Sequence, residues 1–234
     1  MEPMTNAAHA AVRDASEIVG RLTRIVGAAG VLTSPEAREF YSLDFSEQRL
    51  ATALAVVTPQ STEQIPAIVT AAAACGVAVN TRGGAMSYCL GHLPAGPDTI
   101  VLDVSGLNRI LEINTVDRYV SVEPGVTWEQ LRDALRPTGF RVPYLGTLSG
   151  KLATIGAGAS QNCTGMGRMT LAEHIYGLEV VLGDGRIIKT GSAVTSKTKP
   201  FYRYNGPDLT GLFLADSGAF GIKTKIHMLL EPRP

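Results

Sequence analysis

The hydrophobic positions change their rhythm along the chain. Val12, Ile18, Val19, Leu22, Ile25 and Val26 recur at helical spacing, which predicts an amphipathic helix within residues 5–30, stopped near Gly27 to Gly30. Residues 34–49, with Pro35, Phe40, Tyr41, Leu43, Asp44 and Phe45, read as a short helix and a loop. For this N-terminal segment a packing role outweighs a catalytic one. The apolar run Ala53–Val57 reads as a buried strand closed by Thr58-Pro59. Ser61 and Gln64 then have the spacing of a capping box, in which each side chain satisfies a free N–H at the start of a helix. Ile65, Ile68, Val69 and Ala72 mark that helix's buried face, Gly76 ends it, and Val77-Ala-Val79 begins a second strand. The result is a βαβ unit.

Shorter strands follow at Ile100–Val104, Ile110–Ile113 and Tyr119–Val122. A second capping box, Thr127 with Gln130, opens a helix carrying Trp128, Leu131 and Leu135 on one face, with Gly139 as its stop. Ile175–Leu182 and Arg186–Lys189 flank Gly183-Asp184-Gly185, a strong hairpin signal. A short helix capped by Asp208 and a closing strand, Lys223–Leu230, complete the pattern. The fold class is α+β.

Two glycine-rich stretches interrupt these elements. The first, within Val79–Gly91, reads as a short buried strand running into a loop with Arg82, Gly83, Gly84, Ala85, Met86, Ser87 and Tyr88. Adjacent glycines let a ligand approach main-chain N–H groups, which in such turns form a nest for phosphate. Arg82 adds charge and Ser87 a donor, so the loop is a candidate for the pyrophosphate of a dinucleotide, against the plain alternative of an ordinary turn. A side chain on Gly84 is expected to point at the ligand and leave the fold intact. The second stretch includes Gly146, Thr147 and Ser149, then Thr154–Gly167, with four glycines and no charged side chain. Small, neutral, hydrogen-bonding residues suit backbone packed on a large ligand; a buried small-residue helix followed by a turn is the alternative.

The chain has 234 residues, 45% hydrophobic and 18% charged, enough for a substantial core. Lys plus Arg and Asp plus Glu both number 21, so no basic excess supports nucleic-acid binding. Three cysteines, Cys75, Cys89 and Cys163, lack a disulfide or CxxC pattern, and point to a reducing, cytoplasmic setting. The N-terminus does not read as a signal peptide, and no apolar run reaches the length of a membrane span. Metal-ligand spacing, a Gly-x-Ser-x-Gly elbow and a nicotinamide-type Gly-x-Gly-x-x-Gly are not found.

In order along the chain, Val56-Val-Thr-Pro59, Arg82-Gly-Gly-Ala-Met-Ser-Tyr88, Ile100–Asn108, Val122-Glu-Pro-Gly125, Thr154-Ile-Gly156, Gly177–Gly185 and Leu212–Ile222 resemble the FAD-binding domain of oxidoreductases of the vanillyl-alcohol oxidase and p-cresol methylhydroxylase type. The resemblance covers about residues 50–234. It implies an N-terminal helical segment over 1–50 and two α/β subdomains, about 51–105 and 106–234, with an extended FAD between them. Arg82 to Tyr88 would wrap the pyrophosphate. Gly146, Thr147, Ser149, Thr154, Ile155 and Gly156 would line the flavin, continued by Ser160, Asn162, Gly165 and Gly167, and Gly221 and Ile222 would contact the adenine side. Many covalent members carry a histidine in the first loop where this chain has Met86, which implies a dissociable FAD. Cys89 and Cys163 are read as small buried residues.

The resemblance implies oxidation of an alcohol, a hydroxy acid or a phenol by hydride transfer to flavin N5. The chain stops where the family's substrate domain would begin, so a substrate-domain or catalytic partner subunit is expected. Two alternatives stand beside this reading: the flavin electron-transfer subunit of a molybdenum hydroxylase, and a non-catalytic flavin-binding remnant. No general base is identifiable; Tyr88, His92 and His174 are candidates, and for both histidines a structural role outweighs a catalytic one.

Overall fold

Residues 15–45, 47–146, 149–163, 165–167, 170–195 and 197–234 are described by the structure, a computed structural model. The beginning of the expected first helix lies outside these residues. Helix α1 (Ala15–Val26) buries Ile18, Leu22 and Val26, one residue per turn, and ends where Gly27 takes φ 81°. Strand β1 (Val31–Leu32) and helix α2 (Pro35–Tyr41) follow, the latter capped by Ser34, whose hydroxyl accepts the Ala37 N–H. Next come β2 (Ala55–Val57), α3 (Ile65–Ala74), β3 (Ala78–Arg82) and β4 (Thr99–Asp103).

These strands form one sheet in the order β1-β2-β4-β3, with β2 and β3 each parallel to β4. Because β4 lies between the two strands of the βαβ unit, β3 sits at the sheet edge and is half-exposed rather than buried. The sequence explains the exchange. Ile100, Val101 and Leu102 of β4 are fully buried, whereas β3 carries Asn80, Thr81 and Arg82. Helix α1 packs on α3, α2 on β2, and β1 pairs with β2, so α1, β1, α2 and β2 belong to one layer.

The second layer contains β5 (Ile110–Asn114), β6 (Tyr119–Val122), α4 (Trp128–Leu135), β7 (Phe140–Arg141), β8 (Tyr144–Leu145) and α5 (Ile155–Gln161). It continues through β9 (Met166–Gly167), β10 (Ile175–Val181), β11 (Ile187–Lys189), α6 (Leu209–Leu212), β12 (Ile222–Leu229) and β13 (Glu231–Pro232). The main sheet is antiparallel, in the order β11-β10-β12-β6-β5. Both expected capping boxes form, at Ser61–Gln64 and Thr127–Gln130, and the Asp-Gly hairpin joins β10 to β11 with Gly185 at φ 84°. Helices α4 and α5 bury Trp128, Leu131 and Ile155 against the Val120, Leu178, Ile226 and Met228 side of the sheet. The cross-strand pair Val181 and Ile222 instead joins the core of the first layer, which ties the two layers together.

The buried faces of β12 alternate, and His227 falls on the side opposite Ile226 and Met228, where Nδ1 lies 2.7 Å from Ser121 Oγ. Burial, and then the charges of Lys225 and Lys189, push its pKa down from 6.5 to about 4. The folded state therefore binds fewer protons than the unfolded chain between those values. Its contribution is present above about pH 6.5 and is lost as pH falls toward 4, up to about 3 kcal/mol in all. We expect His227→Gln to lose less stability than the parent across that window in urea unfolding at stepped pH. Parallel losses in the two proteins would count against a buried neutral imidazole.

Candidate functional site

Two loops meet where the layers join. One leaves β3 through Gly83 and Gly84; the other passes through Leu152 and Ala153 into α5. A Cβ built on Gly84 would lie 1.8 Å from the Leu152 carbonyl oxygen, and one on Gly83 would lie 2.4 Å from Thr154 Oγ1. Side chains at these positions collide with the protein itself. The expectation that Gly84 directs its missing Cβ at a ligand is corrected: that direction is filled by the second loop's backbone.

Three cavities follow one another around this contact. The middle one, of about 60 Å³, has Gly83, Ala85, His92, Gly156, Ser160 and Lys223 in its wall. A larger one, of about 220 Å³, is lined by Gly84, Tyr88, Trp128, Thr154, Gly158 and Asn162, and shares Met86, Ser87, Ala157 and Gln161 with the middle one. The third, of about 200 Å³, is walled by Val77, Val79, Leu182, Phe220, Gly221 and Ile222, without a polar side chain, and shares Gly218 with the middle one. Among the described residues no carboxylate lines any of the three, and Lys223 is the single cation that does.

Helix α5 forms the floor. Thr154 caps it, accepting the Ala157 N–H, and Asn162 ends it in the left-handed region at φ 43°. The small-residue helix is present, and its Gly156, Ala157, Gly158 and Ser160 line the middle or larger cavity. Gly156 lets the helix lie on Pro124, which a Cβ would approach to 2.6 Å.

Two buried nitrogens here, His92 Nε2 and Trp128 Nε1, have no hydrogen-bond partner among the described residues. An unmet buried donor costs about 1–3 kcal/mol, so such groups commonly mark the place of a ligand or a water. His92 lines the middle cavity and Trp128 the larger one. Burial first, then the charge of Arg82, holds the His92 pKa below its ordinary value, with Asp44 opposing. The imidazole is therefore neutral near pH 7.

The expected site residues divide. Gly83, Gly84, Ala85, Met86, Ser87, Tyr88, Thr154, Gly156, Ser160 and Asn162 face the middle or larger cavity, and Gly221 and Ile222 the apolar one. Arg82 does not: strand alternation turns its guanidinium to the opposite face, 4.6 Å from the Tyr41 ring centre and 5.3 Å from that of Phe40. Its charge faces these aromatic rings, Asp103 favours its charged form, and its Nε has no hydrogen-bond partner among the described residues. Ile155 is fully buried in the second core because the first turn of α5 faces the sheet. Gly146 packs on the Trp128 ring, which a Cβ would approach to 2.3 Å, and the Ser149 carbonyl accepts from Leu152 and Ala153 in the turn before α5. Gly165 is exposed, Gly167 pairs with Tyr144, and Thr147 lies outside the described residues. Cys89 is exposed and Cys163 half-buried, and both line the larger cavity, so the expectation of small buried residues fails for Cys89. His174 is buried beside the Tyr144 ring.

Lys223 and Ser217 are wall residues that the sequence reading missed. Nothing in the run Ile222-Lys-Thr-Lys225 sets Lys223 apart from Lys225, so the sequence carries no signal for it.

A family model described as "FAD binding domain" matches residues 53–191. The glycolate oxidase subunit GlcD of Bacillus subtilis (strain 168) is 29% identical over 221 residues, covering 93% of this chain and 45% of that protein. The D-2-hydroxyglutarate dehydrogenase of Xanthomonas citri pv. viticola is 28% identical over 216 residues, covering 91% of this chain and 44% of that one. Among solved structures, 4-ethylphenol oxidase from Gulosibacter chungangensis in complex with isoeugenol superposes with TM-score 0.80 at 26% identity, over 94% of this chain and 43% of that one. p-Cresol methylhydroxylase with substrate bound superposes with TM-score 0.79 at 23% identity, over 94% and 44%. The α+β fold is that of p-cresol methylhydroxylase-type FAD-binding domains. The chain spans a little under half the length of these relatives.

Gly84→Ala is expected to destabilise the fold by about 2 kcal/mol through overpacking of the loop contact. Gly96, where a Cβ meets nothing within 4 Å, gives the matched control. Chemical denaturation of the two variants checks this; equal midpoints would mean that the loops do not touch as described.

Proposed function

The chain belongs to the FAD-binding domain family, and from that premise we propose that its three cavities hold one extended FAD. The apolar cavity beside Gly221 and Ile222 takes the adenine, the middle cavity the diphosphate, and the larger cavity at Trp128 the isoalloxazine ring. The observation that carries this reading is the change of wall chemistry along the series: apolar, then cationic and hydroxylated, then aromatic with an unpartnered indole N–H. Glycine and alanine along α5 and the first loop leave room for backbone N–H groups to serve as donors.

When bound, FAD would supply hydride-accepting, two-electron redox chemistry at N5, reset by oxygen or an electron carrier. This chain's residues bind and orient that group. Trp128 and Met86 flank its place, Thr154 fixes the start of α5, and His92 offers a neutral imidazole. The substrate is a small alcohol, hydroxy acid or phenol; the names of the relatives put a 2-hydroxy acid first. A further domain or subunit completes the substrate face. Tyr88, in the wall of the larger cavity, and Leu152, next to its Ala153, are exposed apolar side chains, a surface suited to being covered. Helices α1 and α2 and strand β1, which pack on the first layer's sheet and α3, belong to the same unit. The three free cysteines support a reducing, cytoplasmic setting, and among the described residues no helix is long and apolar enough to cross a membrane.

The cofactor is held without a covalent bond. Met86 stands where a histidine link would form, and burial raises the Cys163 thiol pKa, which keeps it protonated and poorly nucleophilic. We expect the purified chain to bind one FAD and to release all of it into the supernatant on acid precipitation. Flavin retained on the pellet would overturn the non-covalent assignment, and failure to take up FAD would overturn the site. Bleaching of the bound flavin by one member of a panel of alcohols, 2-hydroxy acids and phenols, after addition of the partner polypeptide, identifies the substrate class.

A further inference from the structure

The middle cavity holds a charged group that its glycine loop does not explain. Lys223 Nζ lies 2.6 Å from Asp216 Oδ1, and the two side chains are 2% and 1% exposed. A buried ammonium is costly unless paired, and a single carboxylate satisfies one of its three donors. Asp216 is its one hydrogen-bond acceptor among the described residues. That carboxylate is already occupied elsewhere: it also accepts the Gly218 N–H at 3.0 Å and the Phe220 N–H at 3.3 Å. The loop it organises is held in an uncommon shape, with Ala215, Ser217 and Gly218 at φ 57°, 51° and 82°. It docks on α5 through Ala215 N–H to Ala159 O at 3.1 Å and Ser217 N–H to Ser160 O at 2.8 Å. Asp216 thus fixes where Lys223 can reach.

In the same wall stands His92, more than nine-tenths buried, with Nε2 unpartnered. The remaining polar wall is hydroxyl and amide, from Thr81, Ser87, Ser160, Ser217 and Gln161, and no acidic side chain lines it. Positive charge, neutral donors and the absence of wall carboxylates favour an anion.

We propose that Lys223, positioned by Asp216, and His92 form a side-chain anion seat for the diphosphate of the bound dinucleotide. The seat adds ionic recognition to the backbone donors of the glycine loop, and it selects a dinucleotide over an uncharged flavin. This rests on the reading that the three cavities hold FAD. Lys223 donates its remaining N–H capacity to phosphate oxygen, and His92 donates from Nε2 in the tautomer that carries its proton there.

The test uses the full chain and four ligands: FAD, ADP, adenosine and riboflavin. Lys223→Met combined with Asp216→Asn removes the charge without stranding the carboxylate, and His92→Phe removes the second donor. Affinities come from calorimetry and from flavin fluorescence, at low and high salt. In the double variant, Kd for FAD and for ADP is expected to rise about tenfold or more, as for loss of a charge-assisted hydrogen bond. Adenosine and riboflavin affinities stay within twofold or so of the parent, and the salt dependence of ADP binding flattens. His92→Phe raises Kd for FAD and ADP several-fold. Unchanged FAD and ADP affinity in both variants, at parental melting temperature, would overturn the seat and leave Lys223–Asp216 as a structural pair. Should the double variant fail to fold, His92→Phe and the parent's salt dependence decide, and an ADP affinity indifferent to both overturns the proposal. A parent that binds none of the four ligands removes the underlying FAD reading instead.

Discussion

The structure hangs on a backbone-to-backbone contact between the loop after β3 and the segment that leads into α5. Each layer has its own core, one around α1, α3 and the parallel sheet, the other around α4, α5 and the antiparallel sheet. The layers can close only because Gly83 and Gly84 present no side chain to Leu152 and Thr154. That closure also creates the cleft. Gly83 faces the small cationic cavity and Gly84 the larger aromatic one, so the joint that holds the layers together is the partition between two parts of the site. Interiors pack densely, so a joint of this kind tolerates little added volume.

Local chemistry was readable from the residues. Capping boxes at Ser61 and Thr127, the Asp-Gly hairpin and the closing strand each depend on neighbours within a few positions, and each forms. What the sequence concealed depends on long-range placement. The centre of the parallel sheet went to β4, the more apolar strand, and pushed β3 to the edge. Arg82 looked like a phosphate ligand by proximity to glycines, but strand alternation sent it toward Phe40 and Tyr41. The direction of a missing Cβ is equally invisible in a string of letters, so nothing in the sequence sets Gly84 against Leu152. Lys223 escaped notice because its partner Asp216 lies across a tight loop whose shape no periodicity reports.

The match to the FAD-binding domain family covers 53–191, whereas Gly218, Gly221, Ile222 and Lys223 lie beyond it. The apolar and cationic parts of the cleft therefore use walls from β12 and the loop that enters it. Strand β12 is the centre of the antiparallel sheet, paired on both sides, so these wall residues are anchored by the most constrained part of the layer. By contrast, the aromatic cavity is bounded by Tyr88 and Cys89, which are exposed. The apolar cavity is likewise bounded by an exposed side chain, Phe220, so both ends of the cleft reach the surface.

Trp128 is the single tryptophan of the chain, and its indole stands between the packed face of α4 and the larger cavity. Tryptophan emission overlaps the near-ultraviolet absorption of oxidised flavins, and transfer between the two is efficient at contact distance. A flavin in that cavity would therefore darken the chain's whole tryptophan signal, with no second indole to dilute the change. The residue that closes one wall of the site also makes it self-reporting: how full the cleft is can be read as light, in the unmodified protein.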